Sequence, residues 1–187
     1  MFEELIVRIA QGLKRADLPY MIIGGQAVLL YGTPRMTKDI DITLGTGIDA
    51  LERVVGAVEA IALEIIPEDF KSFVRTTFVL PTRDEGSSIR VDFIFSYTPY
   101  ERQAIARARA VLLRETPVMF ASPEDAIIHK IFAGRPRDLE DVRSIIIKNQ
   151  ELDREYVRRW LKEFERSTET PGLIKAFEEA LFFPKSP

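Results

Sequence analysis

The run Asp39-Ile40-Asp41-Ile42-Thr43-Leu44 opens with acid and apolar side chains in strict alternation. A period of two belongs to a β-strand, whose successive side chains point to opposite faces. The spacing predicts a strand over 39–44 with two faces. One carries the carboxylates of Asp39 and Asp41 side by side, and the other carries Ile40 and Ile42 into a core.

The flanking sequence supplies the rest of a sheet and its helices. Phe2, Leu5, Ile6, Ile9 and Leu13 fall at helical spacing, so 2–15 reads as an amphipathic helix that Pro19 ends. Residues 20–23 read as a short buried strand entering Gly24-Gly25. A helix over 26–30 follows, closed by Tyr31-Gly32 and Thr33-Pro34. Leu51, Val54, Val55, Val58 and Ile61 predict a helix over 49–62. Residues 73–80 and 88–95 are strand-like with turn chemistry over 81–86, which predicts a β-hairpin. A helix is expected over 99–109, then short edge strands over 111–113 and 118–120.

At Ser122 the pattern changes. Ser122-Pro123-Glu124-Asp125 is a helix start, with an N-cap serine, proline at the first helical position and acids in the first turn. From there helices alone are expected, at about 123–133, 138–148, 153–165 and 171–182, with a frayed tail over 184–187. The fold class is α/β (α+β): a small mixed sheet with flanking helices in 1–121, the expected catalytic domain, followed by a helical region in 122–187.

Composition sets outer limits. At 187 residues, 46% hydrophobic and 29% charged, the chain can bury a core without covalent staples. The absence of cysteine rules out disulfides, thiolate metal sites and cysteine nucleophiles. A net charge of −3 argues against a generic nucleic-acid coat. Glu3 and Glu4 interrupt any signal-peptide pattern, and no run approaches the roughly 20 apolar residues of a membrane span. The expected localisation is cytoplasmic, with no membrane partner.

Chemistry is suggested by three features in order: Gly24-Gly25 after a strand, Asp39-x-Asp41 on the next, and Asp92 inside the apolar run Val91-Asp92-Phe93-Ile94-Phe95. A buried carboxylate is costly unless it is paired or bound to a cation. If the two acid-bearing strands are neighbours, Asp39, Asp41 and Asp92 converge, and their mutual repulsion calls for divalent cations. Oxygen-only ligands favour Mg²⁺ or Mn²⁺. The glycine pair lets backbone N–H groups approach a phosphate at a helix start. Taken singly, each feature has a plainer reading: a tight turn, a solvated strand face, a core acid paired with an arginine.

The pattern Ile22-Ile23-Gly24-Gly25, then Asp39-Ile40-Asp41-Ile42, then Val91-Asp92-Phe93 resembles the signature of the DNA polymerase β-type nucleotidyltransferase superfamily. More narrowly, Gly24-Gly25-Gln26-Ala27, Tyr31-Gly32 and Arg35-Met36-Thr37-Lys38-Asp39 are similar to the AbiEii/AbiGii-toxin-like group. So are His129-Lys130 and Gly134-Arg135-Pro136-Arg137-Asp138-Leu139-Glu140-Asp141. The resemblance covers about residues 20–145. It implies a metal-dependent transfer of NMP from an NTP to a hydroxyl acceptor, with release of pyrophosphate and two Mg²⁺ (or Mn²⁺) ions. Asp39 and Asp41 would be metal ligands, and Asp92 the third acid, on the metal or as base. Gly24 and Gly25 would contact the triphosphate, Lys130 would neutralise phosphate charge, and Asp138 or Asp141 would lie near nucleotide or acceptor. Arg35 and Thr37 would steady the loop before the acids, with Thr37 counted among the nucleotide-binding residues. The acceptor, whether small molecule, tRNA or protein, is not implied. A toxin–antitoxin partner is implied by the resemblance alone. The competing reading is a weakly catalytic or non-catalytic binding module of the same fold, against which three retained carboxylates argue.

Other residues have ordinary explanations. His129, the only histidine, has no partner histidine and reads as structural. Asp138 and Asp141 share one face of a helix start and suit capping. Arg102, Arg107, Arg109 and Arg114 read as mostly solvated, and Trp160, Phe182 and Phe183 as packing residues.

Overall fold

The computed structural model describes residues 2–96 and 98–182, so Phe183 and the 184–187 tail lie outside the described residues. In chain order the elements are α1 (Phe2–Arg15), β1 (Tyr20–Ile22), α2 (Gly24–Tyr31), β2 (Asp39–Leu44), α3 (Leu51–Glu59, after a 3₁₀ turn at Ile48–Ala50), β3 (Leu63–Ile65), α4 (Phe70–Thr77), β4 (Val79–Asp84), β5 (Arg90–Phe95), α5 (Pro99–Ala106), β6 (Arg109–Leu113), β7 (Thr116–Phe120), α6 (Pro123–Ala133), α7 (Pro136–Lys148), α8 (Arg154–Thr168) and α9 (Leu173–Leu181). They form two compact units, one of Met1–Ile23 with Thr37–Ala121, the other of Gly24–Met36 with Ser122–Pro187.

The first unit is a mixed sheet in the order β3-β4-β5-β2-β1-β7-β6 among the described residues. Parallel pairing joins β2 to β5 and β1 to β7, and the other neighbours are antiparallel. The apolar stripe of α1 buries Leu5, Ile6, Ile9 and Leu13, and α3 buries Leu51, Val54, Val55 and Val58. These side chains share one core with Ile22, Ile40, Ile42, Leu80, Val91, Phe93 and Phe95. Each such fully buried side chain contributes about 2 kcal/mol of transfer free energy, and together they hold the strands in register.

Three sequence expectations are corrected here. Residues 70–77 form a helix, not the start of a strand. Asp69 caps it by accepting the Ser72 N–H at 3.1 Å, and Phe78 closes it with a left-handed φ of 58°. Phe73, Val74, Thr76 and Thr77 favour strands intrinsically, but the cap and the burial of Val74 decide otherwise. Pro81, read as part of a turn, lies inside β4 opposite Asp92. The Pro81 carbonyl accepts from Ile66, just past the end of β3. The missing N–H therefore faces β3 at its last rung, where Ile66 donates to Pro81 and no bond returns, so the cost falls at the end of the β3 ladder. Hence the turn of the hairpin falls after Asp84, whose carboxylate accepts from the Ser87 N–H at 2.9 Å. Finally, β7 is not an edge strand, because it sits between β1 and β6.

The second unit is helical. Ser122 caps α6 by accepting the Asp125 N–H at 3.1 Å, with Pro123 at its first position. Gly134, at φ 64°, ends the helix in the left-handed conformation that glycine adopts without steric cost. Pro136 starts α7, and Asp153 caps α8 by accepting the Tyr156 N–H at 2.9 Å. Val28, Ile127, Ile131, Ile145, Val157, Leu161 and Phe177 fill the core. The fully buried Asp125 is satisfied by the hydroxyls of Tyr156 (2.8 Å) and Ser122 (2.6 Å), as a buried carboxylate requires. No helix among the described residues is long and apolar enough to cross a membrane.

Candidate functional site

The parallel ladder between β2 and β5 sets Asp39 opposite Arg90, Ile40 opposite Val91, Asp41 opposite Asp92, and Ile42 opposite Phe93. Ile40, Ile42, Val91 and Phe93 are all fully buried, so the apolar alternation of both strands locks this register. A slip of one residue would turn carboxylates into the core. With that register, Asp39, Asp41 and Asp92 share one face of the sheet. Asp41 and Asp92 are direct neighbours on strands about 4.8 Å apart. Asp39 is exposed, and Asp41 and Asp92 are half-buried.

As they stand, no three acid or histidine side chains among the described residues form a ready-made metal cage. The donor set nevertheless fits Mg²⁺. That ion dehydrates reluctantly and is usually held by one or two carboxylates, with water and substrate phosphates completing its shell. Asp41 and Asp92 offer such a pair, with Asp39 beside them.

One residue of this face was not singled out from the sequence. The Nε of Arg90 donates to Asp92 Oδ1 at 2.8 Å. That hydrogen bond is the largest influence holding the guanidinium above its ordinary pKa; burial opposes it, and the charges of Asp92, Asp39 and Asp41 add to it. The signal was present: Arg90 and Asp92 are two apart on one strand, so they share a face.

Gly24 and Gly25 open α2 in the second unit, and Gly24 takes a φ of 64° that non-glycine residues rarely adopt. Thr37 is half-buried in the loop before β2.

The remaining candidates gather in the helical unit. Lys130 on α6 donates to Asp138 Oδ1 at 2.6 Å and pairs with Asp141 Oδ2 at 3.0 Å, both on α7. Arg35 forks the same Asp141, with Nε to Oδ1 at 2.9 Å and Nη2 to Oδ2 at 2.8 Å. Lys130, Asp138 and Asp141 are all buried. Burial by itself raises the Asp141 carboxyl, but the hydrogen bonds and charges of Arg35 and Lys130 outweigh it and hold the pKa below the usual value. His129 is half-buried on α6. Arg114, by contrast, lies in the sheet unit, paired with Glu3 (3.3 Å) and Glu4 (3.0 Å). Trp160 packs on Phe164, with ring centroids 6.2 Å apart.

Residues 2–172 match the protein family described as "Nucleotidyltransferase of unknown function (DUF6036)". The chain belongs to this family. No curated protein matches it. Among solved structures, this family member is similar to the antibiotic-resistance factor ANT(2'')-Ia in solution. The identity is 19% over 89% of this chain and 92% of that one, with a TM-score of 0.61. It is also similar to an antigenic nucleotidyltransferase-like protein from Paracoccidioides brasiliensis (17% identity, 93% and 92% covered, TM-score 0.56). A third is the lincosamide antibiotic adenylyltransferase LnuA bound to lincomycin (16%, 73% and 91% covered, TM-score 0.51). At such identities the likeness is one of fold, and it places the α/β arrangement of this family member among nucleotidyltransferase folds.

Proposed function

We propose that this member of the family transfers a nucleoside monophosphate from an NTP to a hydroxyl acceptor, with Mg²⁺ or Mn²⁺ carried by Asp39, Asp41 and Asp92. The supporting observation is the side-by-side register of Asp41 and Asp92 on parallel strands whose other faces are buried. The acceptor oxygen forms a bond to the α-phosphorus, the bond to the pyrophosphate oxygen breaks, and pyrophosphate leaves. A divalent ion, when bound, lowers the pKa of the acceptor hydroxyl and neutralises developing charge. Asp39 and Asp41 hold their carboxylates on a rigid strand, which fixes the geometry at little entropic cost. Asp92, on the neighbouring strand, serves as a third ligand or takes the acceptor proton. Gly24, Gly25 and Thr37 keep the nucleotide role that the sequence resemblance implies. For Lys130, Asp138 and Asp141 we favour a structural role, since their charges meet one another.

The test is incubation with each labelled NTP, Mg²⁺ and acceptor pools, following the label and pyrophosphate release. ANT(2'')-Ia has been seen with adenylyl-2''-tobramycin and LnuA with lincomycin, so the panel begins with small-molecule alcohols, then tRNA, then protein. Label transfer that Asp41→Asn abolishes supports the reading. No transfer and no pyrophosphate release with any pool would leave the non-catalytic binding module. A toxin–antitoxin partner rests on the sequence resemblance, and rescue of growth by a co-expressed neighbouring gene product tests it.

A further inference from the structure

We propose that Arg90 is the built-in counter-ion of the acid face: it occupies one oxygen of Asp92 while no cation is present, and competes with a divalent ion for that carboxylate. The inference rests on the reading of Asp39, Asp41 and Asp92 as cation carriers. Alternation along β5 puts Arg90 on the same face as Asp92, and the ladder sets it beside Asp39. The guanidinium therefore stands at one corner of a square whose other three corners are carboxylates.

Three like charges on two adjacent strands repel one another, and Arg90 cancels one of them. Its side chain is 53% exposed, whereas that of Asp92 is 17% exposed. It thus reaches in from solvent and can withdraw without disturbing the core. A dication arriving at Asp41 and Asp92 meets the positive charge of Arg90 on the same carboxylate, so cation binding by the nucleotide-free protein is weakened. Triphosphate removes that penalty, because its oxygens give the displaced guanidinium a new bidentate partner. The cation is then retained chiefly together with nucleotide.

The experiment measures Mn²⁺ binding without nucleotide by electron paramagnetic resonance, and the Tm in EDTA, for the wild type, Arg90→Gln, Arg90→Lys and Asp41→Asn. Arg90→Gln is expected to bind Mn²⁺ about tenfold more tightly than wild type, the scale of one like charge removed from beside the ion. Its Tm in EDTA is expected to fall, and its gain in Tm on adding Mn²⁺ to exceed that of wild type. Arg90→Lys, which keeps the charge, stays close to wild type. Unchanged or weaker Mn²⁺ binding in Arg90→Gln overturns the proposal, as does Arg90→Lys behaving like Arg90→Gln. If Asp41→Asn loses Mn²⁺ while Arg90→Gln is unaltered, only the counter-ion role fails. If Asp41→Asn binds Mn²⁺ as wild type does, the cation-site reading itself fails.

Discussion

The two units carry charge in opposite ways. On the sheet, three carboxylates, Asp39, Asp41 and Asp92, share a face with Arg90, which pairs with Asp92 at 2.8 Å. In the helical unit, Asp138 and Asp141 are matched by Lys130 and Arg35 at 2.6 to 3.0 Å, in a buried and nearly neutral cluster. A balanced cluster finds its partners within the chain, and its loss costs stability. On the function proposed above, the acid face takes a cation from outside, and its loss costs activity. Charge balance within a cluster is therefore a better guide to its role than the kinds of residue it contains.

The contrast is open to direct attack, and the largest effect belongs to the acid face. Asp41→Asn should lower turnover by roughly a thousandfold or more, about 4 kcal/mol of transition-state stabilisation. Its Tm in EDTA should hold or rise slightly, since one of three repelling charges is gone. A large fall in that Tm would break the comparison. Lys130→Met should do the reverse: Asp141 keeps Arg35, but buried Asp138 is left with only the exposed Arg135 at 3.8 Å, at a cost of about 3–5 kcal/mol. For a chain of this size the Tm should drop by roughly 10 °C, which a thermal melt at neutral pH reads directly. Arg35→Lys keeps the charge but loses the two-pronged grip on Asp141. A loss of about 1–2 kcal/mol in urea unfolding is expected, and no loss would mean the fork is unimportant.

The smallest effect is in the pH dependence. Asp141 titrates lower in the folded chain than its unfolded value of about 3.9. Its stabilisation is thus complete above that value and fades as pH falls through the folded one. Urea midpoints measured from pH 5 downward should decline for wild type and decline less steeply for Asp141→Asn. Equal slopes would remove Asp141 from the account.

Much of the fold was legible because alternation and helical spacing are local. The strand at 39–44, the switch to helices at Ser122 and the N-cap of α6 all follow from residues close together in the chain. The helix at Phe70–Thr77 was hidden because its β-branched and aromatic residues favour a strand, although Asp69 as cap and the spacing of Phe70, Val74 and Phe78 pointed the other way. Pro81 misled because its tolerance depends on where β3 stops, a fact of tertiary pairing. On the acid face the residue types were readable, but which residue lies beside which was not. That Asp41 adjoins Asp92, and that Arg90 joins them, depends on which strands become neighbours. The pairing of Lys130 and Arg35 with α7 was likewise invisible, because long charged side chains choose partners by packing rather than by spacing.

The ladder between β2 and β5 also bears on how such a chain can diversify. Residues 45–89 separate the two strands in sequence, yet the ladder and the apolar side chains behind it align their acids. Growth of the turn after Asp84 or of the segment following Ile65 would cost only about 0.6 kcal/mol per doubling of loop length. The surroundings of the paired acids can therefore be rebuilt piecemeal, with new loops reshaping what is admitted while the alignment of Asp41 with Asp92 is inherited intact.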